Sequence, residues 1–247
     1  MIVCVTGATA GFGAAIARRF SRDGAHVIVT GRRADRLSAL CEELGDACLP
    51  LPFDVRDRAV VERAFATLPA AFAAVDVLVN NAGLALGLEP AQAAKLDDWQ
   101  TMVETNINGL LYCTRAVLPG MVERHRGHIV NLGSVAGTFP YPGGNVYGAT
   151  KAFVHQFSLN LRADLVGLGV RVTDIQPGMV SGTEFSQTRF HGDAERAAKV
   201  YDGVEALTPD DVADAVHWVA TRPPHVNINS LQMMPECQAF GPLAVKR

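Results

Sequence analysis

Short, nearly continuous apolar runs recur along the chain. Each is closed by glycine, asparagine or a charged pair before a longer stretch carries apolar residues every three or four positions. Runs without alternation fit strands buried on both faces, and the longer stretches fit helices packed across them. Strands are predicted over residues 2–6, 26–30, 48–53, 75–79, 128–132, 170–175 and 230–234. Helices are predicted over 14–21, 34–44, 56–72, 97–125, 145–165 and 209–221, the last opened by Thr208 as N-cap with Pro209 in its first turn. This alternation, with right-handed crossovers, implies an α/β fold: a doubly wound, mostly parallel seven-stranded sheet of Rossmann type with helices on both faces. A single domain over 1–247 is expected. Residues 181–206, polar and irregular with Phe185 and Phe190 interspersed, are expected to form a lid over a cleft.

The junctions between strands and helices carry the chemistry. After the first strand comes Thr6-Gly7-Ala8-Thr9-Ala10-Gly11-Phe12-Gly13, spaced Gly-x-x-x-Gly-x-Gly. Glycines that admit close backbone approach, followed by a helix N-terminus with unpaired N–H groups, make a site for a dinucleotide phosphate. The second strand ends in Gly31-Arg32-Arg33, where NAD-binding folds place an acid for the ribose hydroxyl. Two guanidinium groups there suit a 2′-phosphate, which favours NADP as cofactor. Asp54-Val55 closes the third strand where an adenine can be contacted, Asn80-Asn81-Ala82-Gly83 follows the fourth, Gly133-Ser134 the fifth and Pro177-Gly178-Met179-Val180 the sixth. All fall at the carboxyl ends of strands, where open α/β sheets bind ligands.

A helix starting near Asn145, after the Pro142-Gly143-Gly144 break, puts Tyr147 and Lys151 one turn apart on one face. Bringing a phenol from about 10 to neutrality takes about 3 units, or roughly 4 kcal/mol. One cation about 4 Å away, at an effective dielectric of about 20, supplies that order of energy. Lys151 is therefore expected to lower the Tyr147 pKa and make it a proton-transfer residue. Asn106 and Asn108 interrupt the long 97–125 helix; either they bond locally or face solvent, or Asn106 disturbs the helix to hold a proton path. Arg189 in the lid is either a solvated charge or the cation for a substrate carboxylate.

Composition narrows the classes. With 247 residues, 49% of them hydrophobic, and a formal net charge of -3, the chain has material for one substantial core and no basic footprint for nucleic acid. No run of about 18 apolar residues suggests a membrane span, and the first strand leads straight into the glycine loop, so a soluble cytoplasmic protein is expected. Five scattered cysteines without a Cys-x-x-Cys are expected to be reduced core filler. His125 and His128 lie three apart but lack a third ligand, so they are read as surface residues and no metal is expected. Gly133-Ser134 lacks the Gly-x-Ser-x-Gly elbow of a hydrolase.

Five motifs in one order, Thr6-Gly7-x-x-x-Gly11-x-Gly13, Asn80-Asn81-Ala82-Gly83, Gly133-Ser134, Tyr147-x-x-x-Lys151 and Pro177-Gly178, make the chain resemble the short-chain dehydrogenase/reductase family over nearly its whole length. Through residues 80–87, 116–120 and 143–157 it is similar to the NADP-dependent 3-hydroxy acid dehydrogenases, a group that also reduces malonic semialdehyde and oxidises serine or L-allo-threonine. The resemblance implies Ser134, Tyr147, Lys151 and Asn106 as catalytic residues. It implies hydride exchange between NADP(H) and a small 3-hydroxy acid or its semialdehyde. Cofactor contacts are implied from residues 7–13, from Arg32, Arg33, Asp54, Val55, Asn81, Ala82, Gly83, Tyr147 and Lys151, and from residues 177–180 with Gly182 and Thr183. Ser134, Tyr147 and Arg189 would meet the substrate. Ala10 stands where some NADP-binding members have a basic residue, leaving the phosphate to Arg32 and Arg33. The family likeness also implies a homotetramer built on the helices holding Asn106 and Tyr147. Two rivals are a 3-oxoacyl thioester reductase, with Arg124, His125 and Arg126 docking an acidic carrier, and a non-catalytic NADP-binding sensor.

Overall fold

In the computed structural model, which describes residues 1–240, seven strands form one parallel sheet in the order β3-β2-β1-β4-β5-β6-β7. The strands are β1 (Ile2–Val5), β2 (His26–Gly31), β3 (Cys48–Pro52), β4 (Val77–Asn80), β5 (Gly127–Leu132), β6 (Val170–Pro177) and β7 (Ser230–Met233). Every pairing is parallel, so the expectation of a mostly parallel sheet is met in full. The chain order turns back between β1 and β4, and that switch point opens the crevice in which doubly wound sheets hold ligands.

Nine α-helices lie among the described residues: α1 (Gly11–Arg22), α2 (Ala34–Leu44), α3 (Arg58–Ala66), α4 (Leu96–Val103), α5 (Gly109–Glu123), α6 (Asn145–Asp164), α7 (Phe185–Arg189), α8 (Ala194–Lys199) and α9 (Pro209–Ala220). One core cluster packs α1 and α9 against the sheet through Ile16, Phe20, Val212 and Val216, and a second packs the α3 and α5 side through Val61, Cys113, Val117 and Met121. The sheet is thus covered on both faces, as its unalternating strands require. Thr208 and Asp211 form a reciprocal capping box at the start of α9.

Several expectations are corrected. α3 is shorter than 56–72: Asp57 caps it by accepting from Val60 N at 3.0 Å, and it stops at Thr67, shortly before Pro69, which disfavours helical backbone at the residue preceding it. The 97–125 helix is broken into α4 and α5 by a π segment, Glu104–Asn108. Residues 181–206, expected to be an irregular lid, are not irregular throughout, since α7 and α8 form within them, and Gly87 N donates to Arg189 O of this segment at 2.8 Å. Cys41 and Cys48 are joined in a disulfide rather than free; the short α2–β3 connection brings their Cα atoms to 5.1 Å, a separation that suits a bridge. Cys4 and Cys113 are buried, and burial pushes the Cys113 thiol up to about 12, which fits inert core filler. His128 is not a surface residue: it is buried in β5 with Nε2 2.8 Å from Thr173 Oγ1, and desolvation holds its pKa well below the usual imidazole value. Among the described residues no helix is long and apolar enough to cross a membrane, and no cluster of three His, Cys, Asp or Glu could hold a metal ion.

Candidate active site

The glycine loop between β1 and α1 is shaped by close approaches. Gly7 has φ +67°, and a Cβ there would stand 2.9 Å from Ala82 Cα; one on Gly13 would stand 2.5 Å from Gly7 O. Asn81 braces this contact, its Nδ2 donating to Thr6 O at 2.7 Å and to Gly7 O at 3.2 Å. The ends of β1 and β4 are thereby tied together across the switch point. No side chain caps α1 at Ala10, so its first N–H groups remain available beside the cleft.

That cleft has a volume of about 340 Å³ and is lined by Gly7, Thr9, Ala10, Gly11, Phe12, Arg32, Arg33, Asp54, Val55, Asn81, Ala82, Gly83, Tyr147, Lys151 and Thr183, all expected cofactor contacts. Arg33 reaches Thr9 Oγ1 through Nη2 at 2.7 Å, and Arg32 is exposed at the rim. Open amides, a backbone cradle and a guanidinium pair fit a dinucleotide carrying an extra phosphate. Ala8 and Gly13 do not line the cleft; both are buried in the packing behind it. Gly182 lies outside as well, toward Pro209, and residues 177–180 face a second cavity.

The second cavity, about 240 Å³, is lined by Ser134, Tyr141, Tyr147, Pro177, Gly178, Met179, Val180, Phe185, Arg189 and Tyr201 among others. Phe12, Gly133, Tyr147, Thr183 and Phe185 border both spaces, so Tyr147 stands on their boundary. Ser134 caps a short turn by accepting from Ala136 N at 3.1 Å, its hydroxyl donates to Pro177 O at 3.4 Å, and its polarity beside the Tyr147 phenol works to lower that group's pKa. Arg189 donates through Nη2 to Tyr141 Oη and lies 5.2 Å from the Tyr147 ring, while its buried Nε has no hydrogen-bond partner among the described residues.

Lys151 is buried on α6, donates from Nζ to Leu132 O at 2.7 Å, and stands 5.9 Å from the centre of the Tyr147 ring. The electrostatics correct the sequence reading. Tyr147 is not brought to neutrality: burial pushes it up to about 12, with Tyr141 adding to the rise and Arg189, not Lys151, as the cation opposing it. Burial likewise draws Lys151 down to about 8. Desolvation outweighs one cation at this distance, so the phenol holds its proton. Asn106, in the π segment, touches neither cavity; its Oδ1 accepts from Leu84 N and its Nδ2 donates to Leu84 O, both at 2.8 Å, and to Thr150 Oγ1 at 3.0 Å.

Glu184, Tyr141 and Tyr201 are among the cavity residues that sequence reasoning missed. Glu184 lines the cleft and pairs with Arg33 at 2.9 Å and Arg36 at 2.6 Å. Its partners lie about 150 residues away, which no local pattern reveals. Tyr141, between Pro140 and Pro142, and Tyr201, 2.9 Å from Ser186 Oγ, carry at most the signal of a tyrosine in a loop near the catalytic helix or the lid.

A Rossmann-type sheet with an open glycine cradle, and a Ser-Tyr-Lys group where that cradle meets a small cavity, defines a dinucleotide-dependent oxidoreductase. The family model described as short chain dehydrogenase matches residues 1–194, and the chain belongs to that family. It is 64% identical over 247 residues, covering 100% of both chains, to the NADP-dependent 3-hydroxy acid dehydrogenase YdfG of Salmonella typhi. It is 54% identical over 245 residues to the serine 3-dehydrogenase of Rhizobium radiobacter, covering 99% of this chain and 98% of that one. Among solved structures it superposes on the closed form of serine dehydrogenase complexed with NADP+ with a TM-score of 0.97 and 62% identity, covering 100% of both chains.

Proposed function

We propose that Ser134, Tyr147 and Lys151 carry proton transfer in an NADP-dependent oxidoreductase that interconverts a small 3-hydroxy acid and its semialdehyde or keto form. The enzyme class and cofactor follow from the family and from relatives named as NADP-dependent dehydrogenases. Candidate substrates are 3-hydroxypropionate, serine, L-allo-threonine and 3-hydroxyisobutyrate, in line with the relatives named for 3-hydroxy acids and serine. Residues of the glycine loop, Arg32 and Arg33, and the Asn81 to Gly83 turn would hold the cofactor. Bound NADP(H) supplies or accepts the hydride.

The protein's own groups manage the oxygen and its proton. Ser134 and Tyr147 present hydroxyls to the substrate oxygen on the boundary between cleft and cavity. With its pKa up at about 12, Tyr147 is protonated at neutral pH and acts as the acid when a carbonyl is reduced. In the reverse direction it must lose that proton, with the Arg189 guanidinium, which already opposes the rise in its pKa, and Lys151 one turn along α6 as the positive groups beside it. The π segment lets Asn106 clamp both backbone groups of Leu84, fixing the turn after β4 beside Lys151.

The observation that carries the substrate class is Arg189. A guanidinium on the wall of a cavity of about 240 Å³, with a buried Nε lacking a partner, provides a donor for a small carboxylate. Leaving such a donor unmade costs about 1–3 kcal/mol. Arg189→Gln is expected to lower kcat/KM on a 3-hydroxy acid roughly 100-fold while a neutral alcohol of the same size loses little, since charged hydrogen bonds contribute about 1.5–3 kcal/mol. Equal losses on both would refute carboxylate pairing.

Carrier docking finds little support. Arg124 donates to Val75 O at 3.1 Å and Arg126 pairs with Asp76 at 3.0 Å, at the amino end of the sheet and away from the cleft. A homotetramer built on the helical stretch holding Asn106 and on α6, which holds Tyr147, remains part of the proposal; the Phe153 and Phe157 rings stack 5.8 Å apart along α6. Light scattering on the purified chain tests it.

A further inference from the structure

Asp174 on β6 has no exposure to solvent, and the roles described above do not use it. His155 Nδ1 lies 2.8 Å and Gln176 Nε2 2.6 Å from its Oδ2, and Gln232 of β7 donates to Gln176 Oε1 at 3.0 Å. Its Oδ1 has no hydrogen-bond partner among the described residues. That oxygen occupies the space left by Gly133, where an added Cβ would stand 2.2 Å from it. The carbonyl just before Gly133 is Leu132 O, the acceptor for Lys151 Nζ. Carboxylate and ammonium therefore converge on the same end of β5. On α6, Tyr147, Lys151 and His155 follow at intervals of four, so His155, which clamps Asp174, continues the proton-transfer row. A buried carboxylate with one oxygen unpaired is costly and is not retained for packing, because an apolar side chain of that volume would serve better.

We infer that Asp174 is a positioning residue for proton transfer: its carboxylate, admitted by Gly133 and held by His155 and Gln176, is the counter-charge that keeps Lys151 an ammonium inside the protein. The titratable and charged groups around Lys151 are Tyr147 and His155 on its own helix, Asp174 on β6, and Arg189 on the lid over the Tyr147 ring. Of these, Asp174 alone supplies negative charge. The electrostatics run in the same direction, with burial drawing Lys151 down to about 8 and Asp174 opposing that fall. Gly133, in this light, is a glycine because the space of its side chain belongs to the carboxylate.

The inference rests on reading Tyr147 and Lys151 as the proton-transfer pair, and its test separates the two. The chain has four lysines, Lys95, Lys151, Lys199 and Lys246, so the NMR spectrum of protein labelled at lysine Cε is simple, and the Lys151 signal is identified by its loss in Lys151→Met. In Asp174→Asn the Lys151 midpoint is expected to fall by a pH unit or more, a change of at least tenfold in the ratio of ammonium to amine. His155→Leu, which removes one clamp and frees the carboxylate to turn away, is expected to move it the same way by less. Where the wild type reduces a carbonyl, the alkaline limb of kcat/KM should shift to lower pH with the midpoint. A merely structural Asp174 would lower the rate and leave both in place. A Lys151 midpoint that stays or rises in whichever variant folds overturns the inference. A wild type without turnover on any small 3-hydroxy acid would instead refute the proposed function, and the lysine titration would still decide the role of Asp174.

Discussion

In the role proposed for it, Lys151 sets function against stability in one side chain. It is protonated in an unfolded chain up to about pH 10.4, whereas in the folded protein burial draws it down to about 8. Below pH 8 it is charged in both states and burial costs about 3 kcal/mol at 1.36 kcal/mol per unit. Between these values the unfolded chain holds the extra proton, so the group makes stability rise with pH across that window, and above it the penalty is gone. Lys151→Met is accordingly expected to raise stability by about 1–3 kcal/mol at pH 7 while abolishing turnover. Urea midpoints at pH 7 and near pH 10 check this, and the gain must shrink at the higher pH. The tyrosine-lysine pair was legible from spacing alone. The state of its protons was not, because desolvation depends on what α6 is buried against.

Among the elements, the lid and the π segment depart furthest from what periodicity predicted. α7 follows directly on Glu184, whose carboxylate lies between Arg33 and Arg36, and Arg33, ahead of Arg36, holds it below the usual carboxylate range. These pairs are about 40% exposed and contribute little to stability. If Arg33 holds the cofactor phosphate as proposed, a carboxylate 2.9 Å away competes with that phosphate for the same guanidinium. Glu184→Gln is expected to tighten NADP+ binding several-fold and leave NAD+ nearly unchanged, as calorimetry would show. Similar changes for both cofactors would mean that Glu184 acts on the lid rather than on charge. The π segment has a different origin: Asn106 satisfies the N–H and the carbonyl of Leu84 and still reaches Thr150, which needs an extra residue in the turn. An asparagine in a helical pattern signals trouble there but not its form.

For the whole molecule, the order β3-β2-β1-β4-β5-β6-β7 places the ends of β1, β2 and β4 around one cleft, with β5 and β6 around the adjoining cavity. The proposed part of Arg32 and Arg33 in cofactor choice belongs at this scale, because they come beside the glycine loop only when β2 pairs with β1. Removing both, in Arg32→Ala with Arg33→Ala, is expected to lower kcat/KM for NADP roughly 10- to 100-fold. The value for NAD should change little. Steady-state kinetics with the two cofactors measures the ratio, and an unchanged ratio would place the selectivity elsewhere.

Periodicity and spacing in the sequence determined the sheet, its helices, the glycine loop, the arginine pair and the tyrosine-lysine turn, because each depends on neighbours within a few residues or on apolar runs that must be buried. Tertiary structure alone decided the Cys41–Cys48 bridge, the burial of His128, the salt bridges of Glu184, the unpartnered Nε of Arg189 and the convergence of Asp174 on the end of β5. These features depend on which distant atoms meet and how much water is left between them, and a linear pattern carries neither quantity.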